Sequence, residues 1–203
     1  MKTRLIIIAV AFFCLLGACK KDGNETKTNG IAITDDLGAK ALFSKMNGLW
    51  TATLKPALSK TSQTYTNTIL NGSQGTATVN GQYGKTFASS SFSSTSTSTV
   101  DVTIVFKDYE VDGMHINGTV HFFDYNNYRS ACSSSGCVSS SHTSIVYKSV
   151  DASGASLGPS GVRFESNGKT YNDAVLMSIG KSDNAHWSIV VTNNAGQSIN
   201  TSY

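Results

Sequence analysis

The strongest constraint on the fold is a pair of alternating apolar segments, residues 99–107 and 114–123. One face of the first segment, TVDVTIVFK, carries Val100, Val102, Ile104 and Phe106. One face of the second, MHINGTVHFF, carries Met114, Ile116, Gly118, Val120 and Phe122. Because successive side chains of a strand point to opposite faces, this alternation indicates half-buried strands. The two segments predict a β-hairpin with one face in the core.

The turn of this hairpin follows from keeping both apolar faces on one side. A two-residue loop at 112–113 would set Ile104 opposite His121, whereas a three-residue loop at 111–113 sets Ile104 opposite Val120. A slip of one residue moves a whole face between core and solvent. We therefore predict the register of the three-residue loop, with its glycine in the left-handed position of a bulged turn.

Similar patterns predict further strands along the chain, separated by glycine and asparagine turns such as Asn167-Gly168. These strands are residues 49–54, 64–70, 75–83, 161–166, 170–180 and 186–192, with a last short strand within 196–203. The stretch ASSSFSSTSTST, residues 88–99, alternates Ser and Thr with little charge. Two interpretations of this stretch remain open, a polar edge strand and a long loop.

One short helix is predicted before the strands. Asp35 or Asp36 can cap its start, because an Asp side chain accepts hydrogen bonds from first-turn amides. Asn47-Gly48 can end it. Its apolar side is expected to hold Leu37, Ala41, Leu42 and Met46.

About ten strands in hairpin order, with almost no other helix, predict an all-β fold built as an antiparallel meander. Closing the sheet into a barrel, or packing it as a β-sandwich, removes or shields its edges. Gly48-Leu49-Trp50, directly after the short helix, resembles the G-x-W motif of lipocalin-like barrels. The resemblance implies that Trp50 lies on the first strand and closes the barrel base, with Arg163 packed over it. A lipocalin-like barrel and a β-sandwich both remain open.

The first residues are organised as a secretory signal peptide. Lys2 and Arg4 precede an apolar run at residues 5–16, which is shorter than the about 20 residues of a membrane-spanning helix. Leu16-Gly17-Ala18-Cys19 resembles a bacterial lipobox. The resemblance implies that residues 1–18 are removed and that Cys19 carries acyl chains, more than one of which are needed for stable anchoring.

Lys20-Lys21-Asp22 resembles the lipoprotein starts common in Bacteroidota, where such residues act as a surface-export signal. We therefore expect attachment to the outer membrane through Cys19, on either the cell surface or the periplasmic face. The polar residues 19–33 are interpreted as a flexible tether. Residues 34–203 are interpreted as a single β domain.

Removal of the signal peptide changes the charge and the cysteine count. The formal charge falls from +3 to +1, because Lys2 and Arg4 are lost. A near-neutral chain without a basic stripe argues against a nucleic-acid partner. With Cys14 removed and Cys19 acylated, Cys132 and Cys137 remain. In an oxidising compartment this pair predicts a disulfide that closes an exposed loop.

The sequence offers little support for catalysis or metal binding. It contains no glycine-rich phosphate loop and no Asp-rich calcium loop. The letters G-A-S-L-G at 154–158 fit the pattern G-x-S-x-G, but a predicted strand follows them and not the helix of a nucleophile elbow. His115 and His121 would lie about 20 Å apart along one strand, too far to share a metal ion. The sequence therefore favours a protein that is not an enzyme and holds no metal or cofactor.

Tyr125, Asn126, Asn127 and Tyr128 form the clearest binding motif. Tyr and Asn side chains make adaptable contact surfaces, as in antibody loops. We expect a non-enzymatic binding module that uses loops at one end of the sheet, with a glycan, a protein or a small molecule as ligand. Two alternatives remain open: a lipocalin-like carrier with a small apolar ligand beside Trp50, and a structural or adhesion component of the envelope.

Overall fold

The computed structural model describes residues 30–59, 63–155, 157–183 and 185–203. The predicted signal peptide, Cys19 and most of the predicted tether lie outside these residues. A helical segment opens the described chain: α1 (Asp36–Gly48), a π-helical stretch (Leu49–Leu54) and α2 (Lys55–Leu58). Nine strands follow: β1 (Gln63–Asn71), β2 (Gln74–Ser89), β3 (Ser93–Val111), β4 (Met114–Ser133), β5 (Gly136–Val150), β6 (Ser160–Ser166), β7 (Lys169–Ser182), β8 (Ser188–Thr192) and β9 (Ser198–Ser202).

The nine strands form one antiparallel sheet in the order β1-β2-β3-β4-β5-β7-β8-β9. β6 also pairs with β4 and β7, so that β5 and β6 occupy successive parts of one track between those two strands. The prediction of an all-β antiparallel meander with one short helical region is confirmed, with nine strands in place of about ten. Within the described residues, no pairing joins β1 to β9.

The helical segment crosses the apolar face of this sheet from one edge to the other. Near its start, the Phe43 ring packs 4.9 Å from that of Tyr203, beside β9. At its end, the Leu58 carbonyl accepts a hydrogen bond from the Tyr65 hydroxyl on β1. The core therefore lies between the strands and the helical segment.

The expected strand at residues 49–54 is wrong. The α-helix does end at Gly48, within the predicted end at Asn47-Gly48, but no strand follows it. Residues 49–54 continue the helix as its π-helical stretch, with Leu49, Trp50 and Leu54 buried. A six-residue pattern is too short to separate strand alternation from the buried side of a helix. The first-strand position of Trp50 implied by the lipocalin resemblance is therefore wrong as well.

The start of α1 agrees with the sequence, except for Leu37. The Asp35 carboxylate accepts a hydrogen bond from the Gly38 amide over 2.8 Å and caps the helix. Leu37 is 62% exposed, which corrects its assignment to the apolar side. It points away from the buried face of the helix, which is formed by Ala39, Ala41, Leu42, Phe43 and Met46.

Residues 30–33 pack against the sheet, so the folded part begins before residue 34, the predicted start of the β domain. Ile31 forms a parallel bridge with Tyr171 on β7. Ile33 is fully buried, and its amide donates to the Asp173 carboxylate over 2.9 Å.

The β3–β4 hairpin has the predicted core register, but it reaches that register by a different route. Ile104 pairs with Val120, as predicted. The turn itself has two residues, Asp112 and Gly113, with φ of 48° and 69°. A bulge at Asp108 gives β3 one extra residue, which replaces the third residue of the predicted turn. The bulge is seen as a shift of register between Phe106 and Tyr109. The Asp108 amide donates to the Asn117 side chain over 2.6 Å, which holds the bulge in place.

Residues 88–99 are neither an edge strand nor a long loop, since most of them lie within β2 and β3. The chain turns at residues 90–92, and β3 then runs between β2 and β4. Ser and Thr alone give no apolar face to read from the sequence. Backbone pairing on both sides keeps this stretch extended.

Candidate functional site

A four-stranded extension projects beyond the core, and we call it the distal sheet. It comprises residues 84–89 of β2, 93–99 of β3, 125–133 of β4 and 136–144 of β5. The last row of the core consists of Tyr83, Val100, Asp124 and Ile145. Beyond this row, every described side chain is exposed or only half-buried. The distal sheet therefore adds surface to the molecule and almost no core.

The alternation of Ser and Thr in β3 separates onto the two faces of the distal sheet. Ser94, Ser96 and Ser98 lie on the side that continues the core face, because they share the even positions of Val100. We call this the serine face. Thr95, Thr97 and Thr99 lie on the opposite side, the threonine face. Each face thus carries its own set of hydroxyl groups.

The predicted binding residues 125–128 lie in the middle of β4 and not in a loop. Pairing with β3 and β5 on either side sends alternate side chains to opposite faces. Tyr125 and Asn127 lie on the threonine face, whereas Asn126 and Tyr128 lie on the serine face. The structure therefore divides the predicted motif into two pairs, and the expectation that it lies on a loop is wrong.

The threonine face is partly tied by side-chain contacts. The Asn127 side chain donates to the Thr97 hydroxyl over 2.8 Å. The Tyr125 ring packs edge-on against His142, with centroids 5.8 Å apart. His142 in turn lies 2.5 Å from the Asp183 carboxylate. These groups are already engaged with one another.

The serine face carries an exposed aromatic that the sequence reasoning did not select. Phe87 on β2 is 68% exposed, and Tyr128 on β4 is 44% exposed. Both lie in one row across the strands, because Phe87 pairs with Ser96 and Ser96 pairs with Tyr128. The available signal was a phenylalanine directly before the polar, low-complexity stretch of residues 88–99.

The two hairpins meet at the far end of the distal sheet. Cys132 pairs with Cys137 at the β4–β5 tip, with their sulfurs at disulfide distance and their Cα atoms 3.9 Å apart. The Cys132 amide donates to the Phe92 carbonyl over 2.7 Å and so joins this tip to the β2–β3 turn. Phe92 itself is 72% exposed.

The distal sheet carries few basic or acidic side chains. Its residue ranges contain Lys85, Arg129 and His142, and no Asp or Glu. Lys85 lies on the serine face, whereas Arg129 and His142 lie on the threonine face. The surface therefore offers hydroxyl, amide and aromatic groups, with little charge.

Trp50, the other predicted ligand contact, is fully buried at the base of the distal sheet. Its ring stacks 4.8 Å from Phe122, and its indole N–H donates to the Asp124 carboxylate over 2.9 Å. Lys55 donates to the same carboxylate oxygen over 2.6 Å. Burial raises the pKa of the neighbouring Tyr147 well above its ordinary value, and Asp124 adds to the effect. Protein atoms thus surround the indole.

Arg163 lies on β6, opposite His115, and lines an open cleft of about 500 Å³ with Lys45, Glu110 and Glu165. This cleft therefore has charges of both signs. The lipocalin resemblance implied that Arg163 packs over Trp50, but the rings that pack against Trp50 are those of Phe122 and Tyr147. On the outer face of the sheet, His121 lies 2.7 Å from Asp101.

Among the described residues, no three or more His, Cys, Asp or Glu side chains are grouped as metal ligands would be. None of the described helices has the length and apolarity needed to cross a membrane. Comparisons with protein-family profiles, with curated proteins and with solved structures found no match.

Proposed function

We propose that this chain is a lipid-anchored lipoprotein of the cell envelope that binds its ligand, without catalysis, through the distal sheet. One observation carries the binding proposal: a long, nearly uncharged sheet surface that contributes almost nothing to the core. Ordering exposed polar residues costs conformational entropy that burial does not repay here. Ligand binding would account for the presence of such a surface.

The position of the chain entry supports presentation of the distal sheet away from an anchor. Ile31 enters beside Tyr171, which pairs with Phe164, and Phe164 pairs with Met114 at the start of β4. The distal sheet lies at the other end of β4, which has 20 residues. At the usual rise of a strand, the two ends are about 60 Å apart. An anchor at Cys19 would therefore hold the entry end near the membrane and leave the distal sheet free.

The arrangement around Trp50 makes binding by the distal sheet a better proposal than a carrier with its ligand beside the indole. Phe122 and Tyr147 pack against the ring, and Asp124 takes the indole hydrogen bond. A ligand at this position would first have to displace core groups.

The anchor is tested by cell fractionation of the wild type and a Cys19→Ala variant. We expect the wild type in the membrane fraction and the variant released, because an acylated Cys19 is the proposed attachment. Protease shaving of intact cells then assigns the protein to the outer surface or to the periplasmic face. A Cys19→Ala variant that stays in the membrane fraction would contradict the lipid anchor.

Binding through the distal sheet is tested by placing a photo-crosslinking amino acid at Asn126 in living cells. Ile69, on the exposed face of β1, is the matched control position outside the distal sheet. We expect ultraviolet light to yield high-mass products from position 126 and none from position 69. Equal yields at both positions, or none at either, would contradict the proposal.

A further inference from the structure

We propose that the serine face of the distal sheet binds a neutral polysaccharide, with Phe87 and Tyr128 as its two stacking residues. The inference rests on the proposed function and names the ligand class of the same surface. It is carried by the placement of two exposed aromatic rings on a hydroxyl-lined and nearly uncharged sheet.

The spacing of the two aromatics is set by the strands. Phe87 and Tyr128 occupy one row and are separated by one strand, at Ser96. Two strand spacings place their Cα atoms about 10 Å apart. An extended sugar chain that crosses the strands can therefore lay one ring on each aromatic and span the gap with the rings between. A single small sugar would reach only one of them.

The floor between the aromatics suits a flat polymer. Ser94, Ser96 and Ser98 are the β3 residues on this face, and their small side chains leave no ridge between the two rings. A serine hydroxyl both donates and accepts hydrogen bonds, as sugar hydroxyls do. Asn126, in the row next to Tyr128, adds an amide with both capacities. The apolar faces of sugar rings complement the aromatic rings, and the sugar hydroxyls complement the floor.

The charge of the surface favours a neutral chain over an anionic one. Lys85 is the single cationic side chain that the distal sheet places on the serine face, and Arg129 lies on the other side. A polyanion is held by many cations, and its binding weakens steeply with salt. A neutral polysaccharide needs no such stripe. An extended peptide or a second copy of this chain is an alternative occupant that the following experiment separates.

The test is affinity electrophoresis of the detergent-solubilised full-length protein in native gels. The gels contain a neutral β-glucan, xylan or mannan, or polygalacturonate as the anionic polymer. We expect at least one neutral polymer to retard the protein and polygalacturonate to have no effect. Phe87→Ala and Tyr128→Ala should each weaken the retardation about tenfold, the size of one aromatic stacking contact.

The matched control is Phe92→Ala. It removes an equally exposed phenylalanine that lies at the hairpin turn, outside the row. It should leave the retardation unchanged, and Tyr125→Ala on the threonine face should do the same. Thermal melting of all four variants verifies that each is folded.

Three results would overturn the inference: no retardation by any neutral polymer, retardation by polygalacturonate alone, or equal losses from Phe92→Ala and Phe87→Ala. The crosslinking experiment separates this failure from failure of the proposed function. A discrete crosslinked protein at position 126, without polysaccharide retardation, would leave binding by the distal sheet standing and refute the polysaccharide. Absence of both signals would refute both.

Discussion

The indole N–H of Trp50 donates to the buried carboxylate of Asp124 over 2.9 Å, and this bond fastens the helical segment to β4. Lys55, one helical turn further on, donates to the same oxygen. The Lys55 side chain is 38% exposed, whereas that of Asp124 is only 4% exposed. One buried carboxylate therefore holds two positions of the helical segment.

Substitutions at Asp124 separate the two bonds. Asp124→Asn keeps an oxygen that can accept from the indole but removes the charge that faces Lys55. Because Lys55 can turn to water, we expect a loss of about 1 kcal/mol in the free energy of unfolding. Asp124→Ala also leaves the indole N–H buried without an acceptor, and we expect the free energy of unfolding to fall by about 3 kcal/mol. Urea denaturation measures both, and equal losses would mean that the indole bond contributes nothing.

Two glycines with open space around them should respond to alanine in opposite directions. No atom would contact an added Cβ at Gly48 or at Gly113. Gly48 has helical φ of −60°, so Gly48→Ala should raise stability by about 0.5–1 kcal/mol through the lower entropy of the unfolded chain. Gly113 has φ of 69°, so Gly113→Ala should lower stability by about 1 kcal/mol. The melting temperatures of the two variants measure these changes, and shifts of the same sign would refute this account.

Deletion of Asp108 should be tolerated because it is the extra residue of the bulge. The register between β2 and β3 also shifts beside this position, so removal regularises β3 against both neighbours. We expect a folded protein within about 1 kcal/mol of the wild type, with loss of the bonds to Asn117 offset by regular pairing.

The matched control is deletion of Val105 in the regular part of the same strand. It would turn Ile104 and every residue before it in β3 to the opposite face. We expect this variant not to fold. Near-ultraviolet circular dichroism and urea denaturation compare the two deletions, and similar behaviour of both would contradict the assignment of the bulge.

The hairpin shows how far the sequence alone can determine the fold. Strict alternation over Val100–Phe106 specified the core register, because only one pairing buries both apolar faces. The sequence could not show where the compensating residue lies, since a bulge at Asp108 and a longer turn give the same pairing of Ile104 with Val120. Tertiary contacts decide between them, among them the bond from Asp108 to Asn117.

The structure of two other regions was not predicted correctly from the sequence, for different physical reasons. Leu49–Leu54 fits a short strand and a helix equally well, and packing of Trp50 on Phe122 favours the helix. The distal sheet has no buried face, so hydrophobic periodicity carries no information there. Its pairing follows from the neighbouring strands, which is why the split of residues 125–128 between two faces was not foreseen.

Stability should fall in alkaline solution because burial raises the pKa of Tyr65, Tyr109 and Tyr147. In the unfolded chain these hydroxyls ionise as the pH passes about 10, whereas the folded protein retains their protons. The unfolded state then binds fewer protons, so the free energy of unfolding decreases as the pH rises. The contribution is complete below about pH 10 and is lost progressively above it.

Urea midpoints between about pH 8 and about pH 11 measure this loss. Tyr147→Phe should flatten the decline, because it removes one of the raised groups. It also removes the hydrogen bond of 3.0 Å to Asn47, so its midpoint should be lower at neutral pH. A midpoint of the wild type that stays constant across the range would refute the alkaline effect.

The separation of the distal sheet from the core also has an evolutionary consequence. Its side chains take little part in core packing, so exchange of Phe87, Ser96 or Tyr128 changes the surface with little cost to folding. Under the proposed function, a mutation there would be exposed to selection for recognition while being nearly neutral for stability. Ligand preference would then diverge quickly among descendants of this chain while their fold stays the same.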